Sequence, residues 1–290
     1  SINPGVAHSC GHDGHMAILC GIGLTLSKHR PKKGRVILLF QPAEETGMGA
    51  KEVIQSQNFY KIKPDFAFAL HNLPGYALGE AVLKKGAFTA ASKGMIIALQ
   101  GRTSHAAHPE DAISPTNAMC RIMAELQELP KHMTGFSLVT IIHAQLGEVA
   151  FGTTPGEAKV MATLRTFDNE VMANLTESAC SLSREIAKSQ GLKCTISFTE
   201  EFQVVENETE AGKLVNEAVD ELGLQKRIAT EPFRWSEDFG VLSSTTKSYF
   251  LGLGCGIDHP QLHDNSYDFQ DELLPIGIDL FHKIIEKLNH

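Results

Sequence analysis

The residues most able to do chemistry lie near the start of the sequence, in the stretch HSCGHDGH that begins at position 8. Cysteine thiolates and histidine imidazoles are common sulfur and nitrogen ligands of Zn²⁺ and related metal ions. Gly11 separates Cys10 from His12, and because glycine lacks a Cβ, the backbone can bend there and turn both side chains toward one point. The stretch therefore predicts a metal site at Cys10 and His12. His8 and His15 fit hydrogen bonding at a helix start or, for His15, support of a ligand.

A pair of adjacent carboxylates, Glu44 and Glu45, lies in the stretch QPAEE directly after the apolar run RVILLF. One carboxylate of such a pair can bind a cation while the other stays free and acts as a general base toward a metal-activated water. His71 directly follows a second apolar run, DFAFAL. Because ligands of open α/β sheets bind beyond the carboxyl ends of the strands, the sequence predicts that these three side chains converge. A fourth polar stretch, HPQLHDNS, precedes the last predicted helix.

The composition favours an ordinary globular protein of one large or two smaller domains. The sequence has 290 residues, of which 42% are hydrophobic and 21% charged, and its net charge is −8. No stretch concentrates Lys and Arg, so we expect no nucleic-acid partner. The longest apolar run, Met16–Leu26, is too short to span a bilayer, so we expect no membrane association. The six cysteines show no close pairing, which predicts free thiols and a reducing, cytoplasmic compartment.

The elements that must position these residues begin with an alternation of helix and strand, the pattern of a mostly parallel α/β sheet. Apolar spacing predicts a helix over Asp13–Lys28 and another over Gly49–Gln57. RVILLF (Arg35–Phe40) and DFAFAL (Asp65–Leu70) have the composition of short strands that are buried on both faces. We expect the polar stretches that follow these strands to lie at one edge of the sheet.

The middle of the chain has a different pattern, with strands and helices in the order β-α-β-β-α-β from Gly94 to Glu201. This is the order of a ferredoxin-like α+β unit. After Glu201 the pattern of helix, strand and final helix resumes, which indicates that the unit is inserted. We therefore predict an α/β, mostly parallel-sheet domain formed by residues 1–86 and 202–290, with a ferredoxin-like α+β domain inserted at 87–201.

Seven short motifs occur in the same order as in the M20 family of metallopeptidases, and through them the chain resembles that family over essentially all 290 residues. The nearest branch is that of amidohydrolases such as hippurate hydrolase, N-acetyl-diaminopimelate deacetylase and the auxin-conjugate hydrolases. The motifs are CGHDGH, FQPAEE, ALHN, GRTSHAAHP, TLRTF, SEDF and LHDNSYDF. Members of this branch carry a further segment upstream, so we interpret this chain, which begins at Ser1 rather than at Met, as lacking its N-terminal segment.

The resemblance implies a metal-dependent amidohydrolase that cleaves the amide bond of N-acyl amino acids or small peptide-like substrates by means of a metal-activated water. It makes Glu44 the general base, and it implies that His105 reaches the active site of the neighbouring subunit and hydrogen-bonds the developing oxyanion. Arg165 is similar to a position associated with the substrate carboxylate, which a guanidinium can bind through two hydrogen bonds. Glu237 and Asp238 would support ligand imidazoles or, equally, fix a loop.

The resemblance also implies two divalent metal ions per subunit and a homodimer formed through the inserted domain, which would act as a lid. The family suggests Mn or Zn, and the mixture of nitrogen, sulfur and oxygen donors also suits Co or Ni. The implied metal ligands are Cys10, His12, Glu45, His71 and His263.

Two other interpretations of the residues stay open at this point. In the first, Cys10 is the nucleophile of a metal-free cysteine amidase, with a nearby histidine as its base. In the second, the chain is a non-catalytic metal- or ligand-binding truncated homologue. Restoration of activity by Mn or Zn after chelation would exclude the thiol mechanism, whereas tight binding of an N-acyl amino acid without any product would favour the binding protein.

Overall fold

The computed structural model describes residues 5–289, and eight α-helices and ten strands form in that part of the chain. Single turns of 3₁₀ helix add to them at Glu44–Thr46, Pro109–Asp111 and Leu129–His132. The helices are α1 (His12–Lys28), α2 (Gly49–Gln55), α3 (Phe59–Ile62), α4 (Thr116–Glu128), α5 (Asn169–Ser189), α6 (Thr209–Glu221), α7 (Gly240–Ser243) and α8 (Leu273–Leu288). The strands are β1 (Phe66–Pro74), β2 (Ala81–Leu83), β3 (Gly86–Thr89), β4 (Ala91–Gln100), β5 (Ser137–Leu146), β6 (Glu157–Thr166), β7 (Lys193–Phe202), β8 (Val205–Asn207), β9 (Lys226–Ile228) and β10 (Lys247–Gly256).

The polar stretches of interest lie at a mixed sheet of four strands in the order β1, β10, β2, β9. β1 and β10 are parallel, with Phe66 opposite Lys247, and β2 and β9 are also parallel. β10 and β2 are antiparallel, so two of the three neighbouring pairs in this sheet are parallel and the fold is a mixed α/β fold. The antiparallel pair has a topological cause, because residues 75–80 join β1 to β2 and are too few for the crossover of about a dozen residues that would make β2 run parallel to β1 and β10.

Helices α1, α6 and α8 bury the apolar side chains of this sheet. Ile18 of α1, Leu251 and Leu253 of β10 and Leu280 of α8 are all essentially inaccessible to solvent. The predicted helix over Asp13–Lys28 is confirmed, with its start one residue earlier, and the helix predicted to end at Gln57 ends at Gln55. Periodic apolar spacing located these helices well because it is a local property of the sequence.

The strand predicted over Arg35–Phe40 is wrong, since residues 35–40 have no regular secondary structure. Leu38 packs with the core beneath α1 and α8, whereas Leu39 packs with the separate cluster around Phe59 and Phe88. Consecutive residues thus point to opposite sides, as in a strand, but no ladder of hydrogen bonds forms among the described residues. A strand requires a partner at the correct register, and apolar composition cannot show whether one is present.

β1 extends to Pro74 rather than ending at Leu70, so His71 lies inside a strand and not after it. The buried portion of this strand is Leu70 to Leu73, which includes the polar residues His71 and Asn72. Buried positions of a strand are usually apolar, because burying a polar group without a hydrogen-bond partner costs free energy. These two side chains are exceptions that have hydrogen-bond partners, described below.

The antiparallel strands β4, β5, β6 and β7 form a second sheet in the order β5, β6, β4, β7, and α4 and α5 pack against it. We call these six elements, together with the segments that join them, the antiparallel layer. They follow one another along the chain as β-α-β-β-α-β, the order read from the sequence, and the sheet order is that of a ferredoxin-like unit. Ile97, Ile122, Leu164 and Leu175 lie in its own apolar core.

Two further findings concern residues 5–289 as a whole. Between residues 5 and 289, no helix is both long enough and apolar enough to cross a membrane. All six cysteines are free thiols, as the absence of close pairing predicted.

Candidate active site

Donor atoms from distant parts of the chain meet at the edge of the mixed sheet. Cys10 and His12 lie at the start of α1, and Glu44 and Glu45 lie in the 3₁₀ turn that precedes α2. Within each of three groups, the donor atoms lie no more than 4.8 Å from one another. The groups are Cys10 with His12 and His71, Cys10 with Glu45 and His263, and His12 with Glu44 and Glu45. We call these six residues the donor cluster; it contains all five implied ligands together with Glu44.

Contacts across the donor cluster join its members in pairs. His12 Nε2 lies 3.7 Å from Glu44 Oε2, and His12 Nδ1 lies 3.9 Å from Glu45 Oε1. His263 Nε2 lies 3.7 Å from Glu45 Oε2, and the backbone N–H of His263 donates to Ser9 O at 2.8 Å. Cys10 Sγ lies 3.4 Å from His71 Nε2.

Gly11 allows this geometry at the start of α1. Its φ is +81°, a left-handed value that residues with a side chain rarely adopt, and this agrees with the bend predicted between Cys10 and His12. A Cβ at this position would lie 2.6 Å from the Tyr267 hydroxyl and 2.7 Å from Asn72 Oδ1. Both the backbone angle and the close approach therefore require glycine.

Two histidines of the donor cluster, His71 and His12, are favoured in the neutral form, which is the form that binds metal ions. Burial lowers the pKa of His71 to about 4, and burial also lowers the pKa of His12. His71 Nδ1 donates to Asn72 O at 2.8 Å, so the lone pair of its Nε2 faces Cys10 and the rest of the cluster. This fixed tautomer is the usual arrangement of a ligand histidine.

The acidic side of the cluster forms no ion pair with Lys or Arg within residues 5–289. Among residues 5–289, Glu44, Glu45 and Glu237 have histidines as their ion-pair partners and no Lys or Arg. Burial, together with the nearby carboxylates of Asp238 and Glu45, raises the pKa of Glu44 to about 7. Burial and then Glu44 raise the pKa of Glu237 well above its usual value. Crowded carboxylates of this kind are stabilised by a bound cation.

The donor set therefore fits divalent metal ions. It offers one thiol, three imidazoles and one carboxylate, with Glu44 beside them, and this mixture suits Zn²⁺, Mn²⁺ or related ions. Burial and the surrounding carboxylates raise the pKa of Cys10, so its thiol holds its proton unless a cation displaces it.

Asp238 fixes the segment that carries both glutamates. Its carboxylate accepts hydrogen bonds from Gln41 Nε2 at 2.6 Å and from the backbone N–H of Ala50 at 2.8 Å. These two contacts join the ends of the segment 41–50. Asp238 thus acts as a loop-fixing residue, one of the two roles considered for it from the sequence.

A buried polar network supports the other side of the cluster. His15 Nε2 donates to Asn72 Oδ1 at 2.6 Å, and the Asn72 amide donates to the Tyr267 hydroxyl. Asn72 is fully buried, and its backbone carbonyl holds His71. His15 is outside the donor cluster and contacts it through its ring, 4.8 Å from that of His71, which agrees with the supporting role considered for it.

Two predicted site residues lie outside the donor cluster. His105 is exposed in the antiparallel layer, where its Nδ1 accepts from the Ala107 N–H at 3.1 Å, and the described residues show no contact between it and the cluster. Arg165 Nη1 donates to Arg234 O at 2.8 Å and to Ser236 Oγ at 3.0 Å, so it reaches the loop before Glu237 rather than the donors themselves.

Sequence reasoning missed three residues that contact the cluster or its supports. Asn72 stands next to His71 and could have been noticed as a polar residue in an apolar strand. Tyr267 lies within the motif LHDNSYDF, but its role could not be predicted because its contact with Asn72 joins positions 195 apart. The ring of Trp235 lies 5.5 Å from that of His71. The loop sequence around Trp235 has no pattern that would predict this contact.

Comparison with known proteins gives one consistent result. The model of peptidase family M20/M25/M40 matches residues 1–287. The chain is 28% identical to an N-acetyldiaminopimelate deacetylase of Listeria monocytogenes, over 99% of this chain and 77% of the relative. It is 32% identical to hippurate hydrolase of Campylobacter jejuni, over 97% of this chain and 74% of the relative.

A solved structure shows the same fold. The YXEP protein of Bacillus subtilis, described as a dinuclear metal binding peptidase from the M20 family, aligns with a TM-score of 0.83 at 25% identity. The alignment covers 100% of this chain and 75% of the YXEP chain.

Proposed function

Because this chain belongs to peptidase family M20/M25/M40, we propose that it hydrolyses the amide bond of N-acyl amino acids or of small peptide-like substrates. The observation that carries the proposal is the donor cluster, in which five ligand-type side chains lie together and one further carboxylate, that of Glu44, lies beside His12 and Glu45. The two relatives described above, a deacetylase and hippurate hydrolase, support an N-acyl amino acid as substrate.

The proposed ligands of two divalent metal ions are the residues with suitable donors in the cluster. Mn or Zn is our first proposal, and Co or Ni would also suit this donor mixture. When bound, such ions would lower the pKa of a water molecule and withdraw electrons from a substrate carbonyl. The ligands proposed are Cys10, His12, Glu45, His71 and His263.

Glu44 is the proposed general base and acid. Its carboxylate lies 3.7 Å from His12 Nε2, inside the donor cluster, and it is not needed to complete the ligand set. Its side chain is 20% exposed, against 55% for Glu45, so it is the more shielded carboxylate of the pair. In the proposed reaction Glu44 removes a proton from the attacking water and then delivers it to the nitrogen of the departing amine.

His105 and Arg165 are proposed to act on the substrate. His105 would hydrogen-bond the substrate carbonyl oxygen as negative charge develops on it. Because His105 has no contact with the donor cluster of its own chain within the described residues, we propose that it serves the site of a second copy in a homodimer formed through residues 87–201, the proposed lid. Arg165 would bind the substrate carboxylate through guanidinium nitrogens that are not engaged by the loop.

The substitution Glu44→Gln tests the base role. We expect it to abolish turnover of N-acyl amino acids, since an amide cannot accept the proton, while metal content stays near that of the parent. Elemental analysis and a hydrolysis panel with several acyl groups are the measurements. Glu52→Gln on α2 is the control, because Glu52 lies outside the donor cluster. Retained turnover in Glu44→Gln would remove Glu44 from this role.

Two further outcomes would redirect the proposal. Full metal loading with tight substrate binding but no product in the parent protein would support the non-catalytic binding protein, which the family membership does not favour. Activity that survives chelation would support the cysteine amidase, which the raised pKa of the Cys10 thiol disfavours because a nucleophile must be a thiolate.

A further inference from the structure

One arginine reaches from the antiparallel layer to the loop beside the donor cluster. Arg165 lies in β6, opposite Ser92 of β4 and Leu138 of β5. Its Nη1 donates to Arg234 O at 2.8 Å and to Ser236 Oγ at 3.0 Å. Within residues 5–289, ion pairs are formed by other arginines and not by Arg165. The polar contacts of its guanidinium are therefore those with this loop.

The loop held by Arg165 touches the proposed ligand His71 at two places. The first contact is that of Trp235, whose ring centre lies 5.5 Å from the ring centre of His71. The backbone carbonyl of Trp235 accepts a hydrogen bond from the Ala90 N–H at 3.0 Å. Glu237 Oε1 lies 3.5 Å from His71 Nε2, the nitrogen that faces the donor cluster. Ser236, which Arg165 contacts, stands between these two residues in the sequence.

A second contact joins the same loop to the antiparallel layer. The guanidinium of Arg234 lies 5.1 Å from the centre of the Phe136 ring, which stacks on Phe167 at 4.1 Å. The backbone carbonyl of Arg234 is held by Arg165 and its side chain by an aromatic pair of the same layer. The loop is therefore attached to the antiparallel layer through both the backbone and the side chain of residue 234.

We propose that Arg165 is a positioning residue that fixes residues 234–236 and through them sets Trp235 and Glu237 against His71. This role differs from binding the substrate carboxylate and precedes it, because it operates in the resting protein. It rests on the proposed function in one respect, namely that His71 is a metal ligand. The attachment of the loop itself does not depend on any reaction.

The chemistry of the guanidinium explains why arginine suits this position. The Nη1 atom of Arg165 donates to two acceptors in the loop, one on Arg234 and one on Ser236. The planar guanidinium holds its N–H groups in a fixed orientation toward both. A lysine ammonium has a flexible stem and a compact charge, so we expect it to keep one of the two contacts and to hold the loop less firmly.

The fluorescence of the protein provides a direct test, because Trp235 is the sole tryptophan of the chain. We expect Arg165→Ala to shift its emission to longer wavelength and to increase quenching by acrylamide, and Arg165→Lys to give an intermediate result. The control is Arg121→Ala, which removes an exposed arginine of α4 and should leave the emission unchanged. Parent-like emission and quenching in a folded Arg165→Ala protein would overturn the proposal.

A second variant keeps the test decisive if Arg165→Ala does not fold. Ser236→Ala removes one acceptor of Arg165 and little volume, so we expect a smaller shift in the same direction with an unchanged far-UV circular dichroism spectrum. Parent-like Trp235 emission and quenching in this variant would overturn the proposal in that case.

Kinetics with two substrates separate positioning from carboxylate binding. If Arg165 positions the loop, Arg165→Lys lowers kcat for an N-acetyl amino acid and for the matching N-acetyl amine that lacks the carboxylate. A rise in KM for the amino acid alone, together with parent-like Trp235 emission, would overturn the positioning role. If the parent hydrolyses neither substrate, the proposed function fails while the emission of the resting variants still decides the role of Arg165.

Discussion

Gly11 holds a φ of +81° between two proposed ligands, and nothing larger than hydrogen fits there. We expect Gly11→Ala to lower the free energy of unfolding by about 1–3 kcal/mol, since the left-handed angle and the approach to Tyr267 and Asn72 are both violated. We also expect Zn²⁺ affinity to fall by about tenfold or more, as when a residue that supports metal ligands is lost. Urea denaturation and competition with a chelating dye are the measurements.

Gly75→Ala is the matched control for that experiment. Gly75 has a nearly equal φ of +85°, and a Cβ there would have no neighbour within 4 Å. It therefore reports the cost of the backbone angle alone. Equal effects of the two substitutions on Zn²⁺ affinity would contradict the idea that the space around Gly11 shapes the site.

At the scale of residues, the sequence predicted the donors better than their supports. The spacing of Cys10 and His12 around Gly11 is a local signal of a metal site, whereas Glu45 was named as a ligand only through the resemblance to the family. Asn72 could be noticed only as a polar residue in an apolar strand, and its contact with Tyr267 could not be predicted because it arises from packing between distant positions.

At the scale of elements, the N-terminus of α5 is capped by the carboxylate of Asp168. Asp168 Oδ1 accepts hydrogen bonds from the backbone N–H groups of Glu170 at 2.7 Å and Val171 at 2.9 Å. We expect Asp168→Ala to lower the free energy of unfolding by about 1 kcal/mol because these donors lose their partner. Asp168→Asn, which keeps an acceptor oxygen, should stay close to the parent. Urea midpoints measure both, and equal losses would contradict the capping role.

A second cap makes stability depend on pH. Glu208 accepts from the N–H groups of Glu210 at 2.8 Å and Ala211 at 3.0 Å, and these bonds lower its pKa below the usual 4.5. Because the pKa is lower in the folded state, the stabilisation is present above about 4.5 and is lost as the pH falls through the folded value. We expect urea midpoints of the parent and Glu208→Gln to differ at pH 7 and to converge in acid. A constant difference at every pH would contradict this.

The elements also show why part of the fold escaped prediction. Helices α1, α5 and α8 follow from apolar spacing along one continuous segment. Residues 35–40 are as apolar as a buried strand, yet they have no ladder, since pairing depends on another part of the chain. The antiparallel pairing of β10 with β2 likewise depends on topology rather than on either sequence alone.

At the scale of the whole molecule, the exposed position of His105 leads to a test of the proposed dimer. We expect His105→Ala and Glu44→Gln to be inactive separately and to regain activity when mixed. In a mixed dimer, one site would have its own Glu44 and the partner's intact copy of His105. With random exchange of subunits, the mixture should reach about a quarter of the parent's activity. Hydrolysis rates after mixing equal amounts are the measurement.

Two results would contradict that proposal. A mixture as inactive as its components, with exchange of subunits shown by size-exclusion chromatography of tagged chains, would mean that His105 acts within its own chain or has no role. Full activity of His105→Ala alone would remove it from the reaction.

The donor cluster joins residues that are far apart in the sequence, since Cys10 and His263 are both among its members. During synthesis on the ribosome, the early donors emerge long before the last one exists. The complete cluster can form only after His263 has been synthesised and the chain between the donors has folded. Loading with the proposed ions would therefore follow the synthesis of His263, and a product that terminates before this residue would carry an incomplete set.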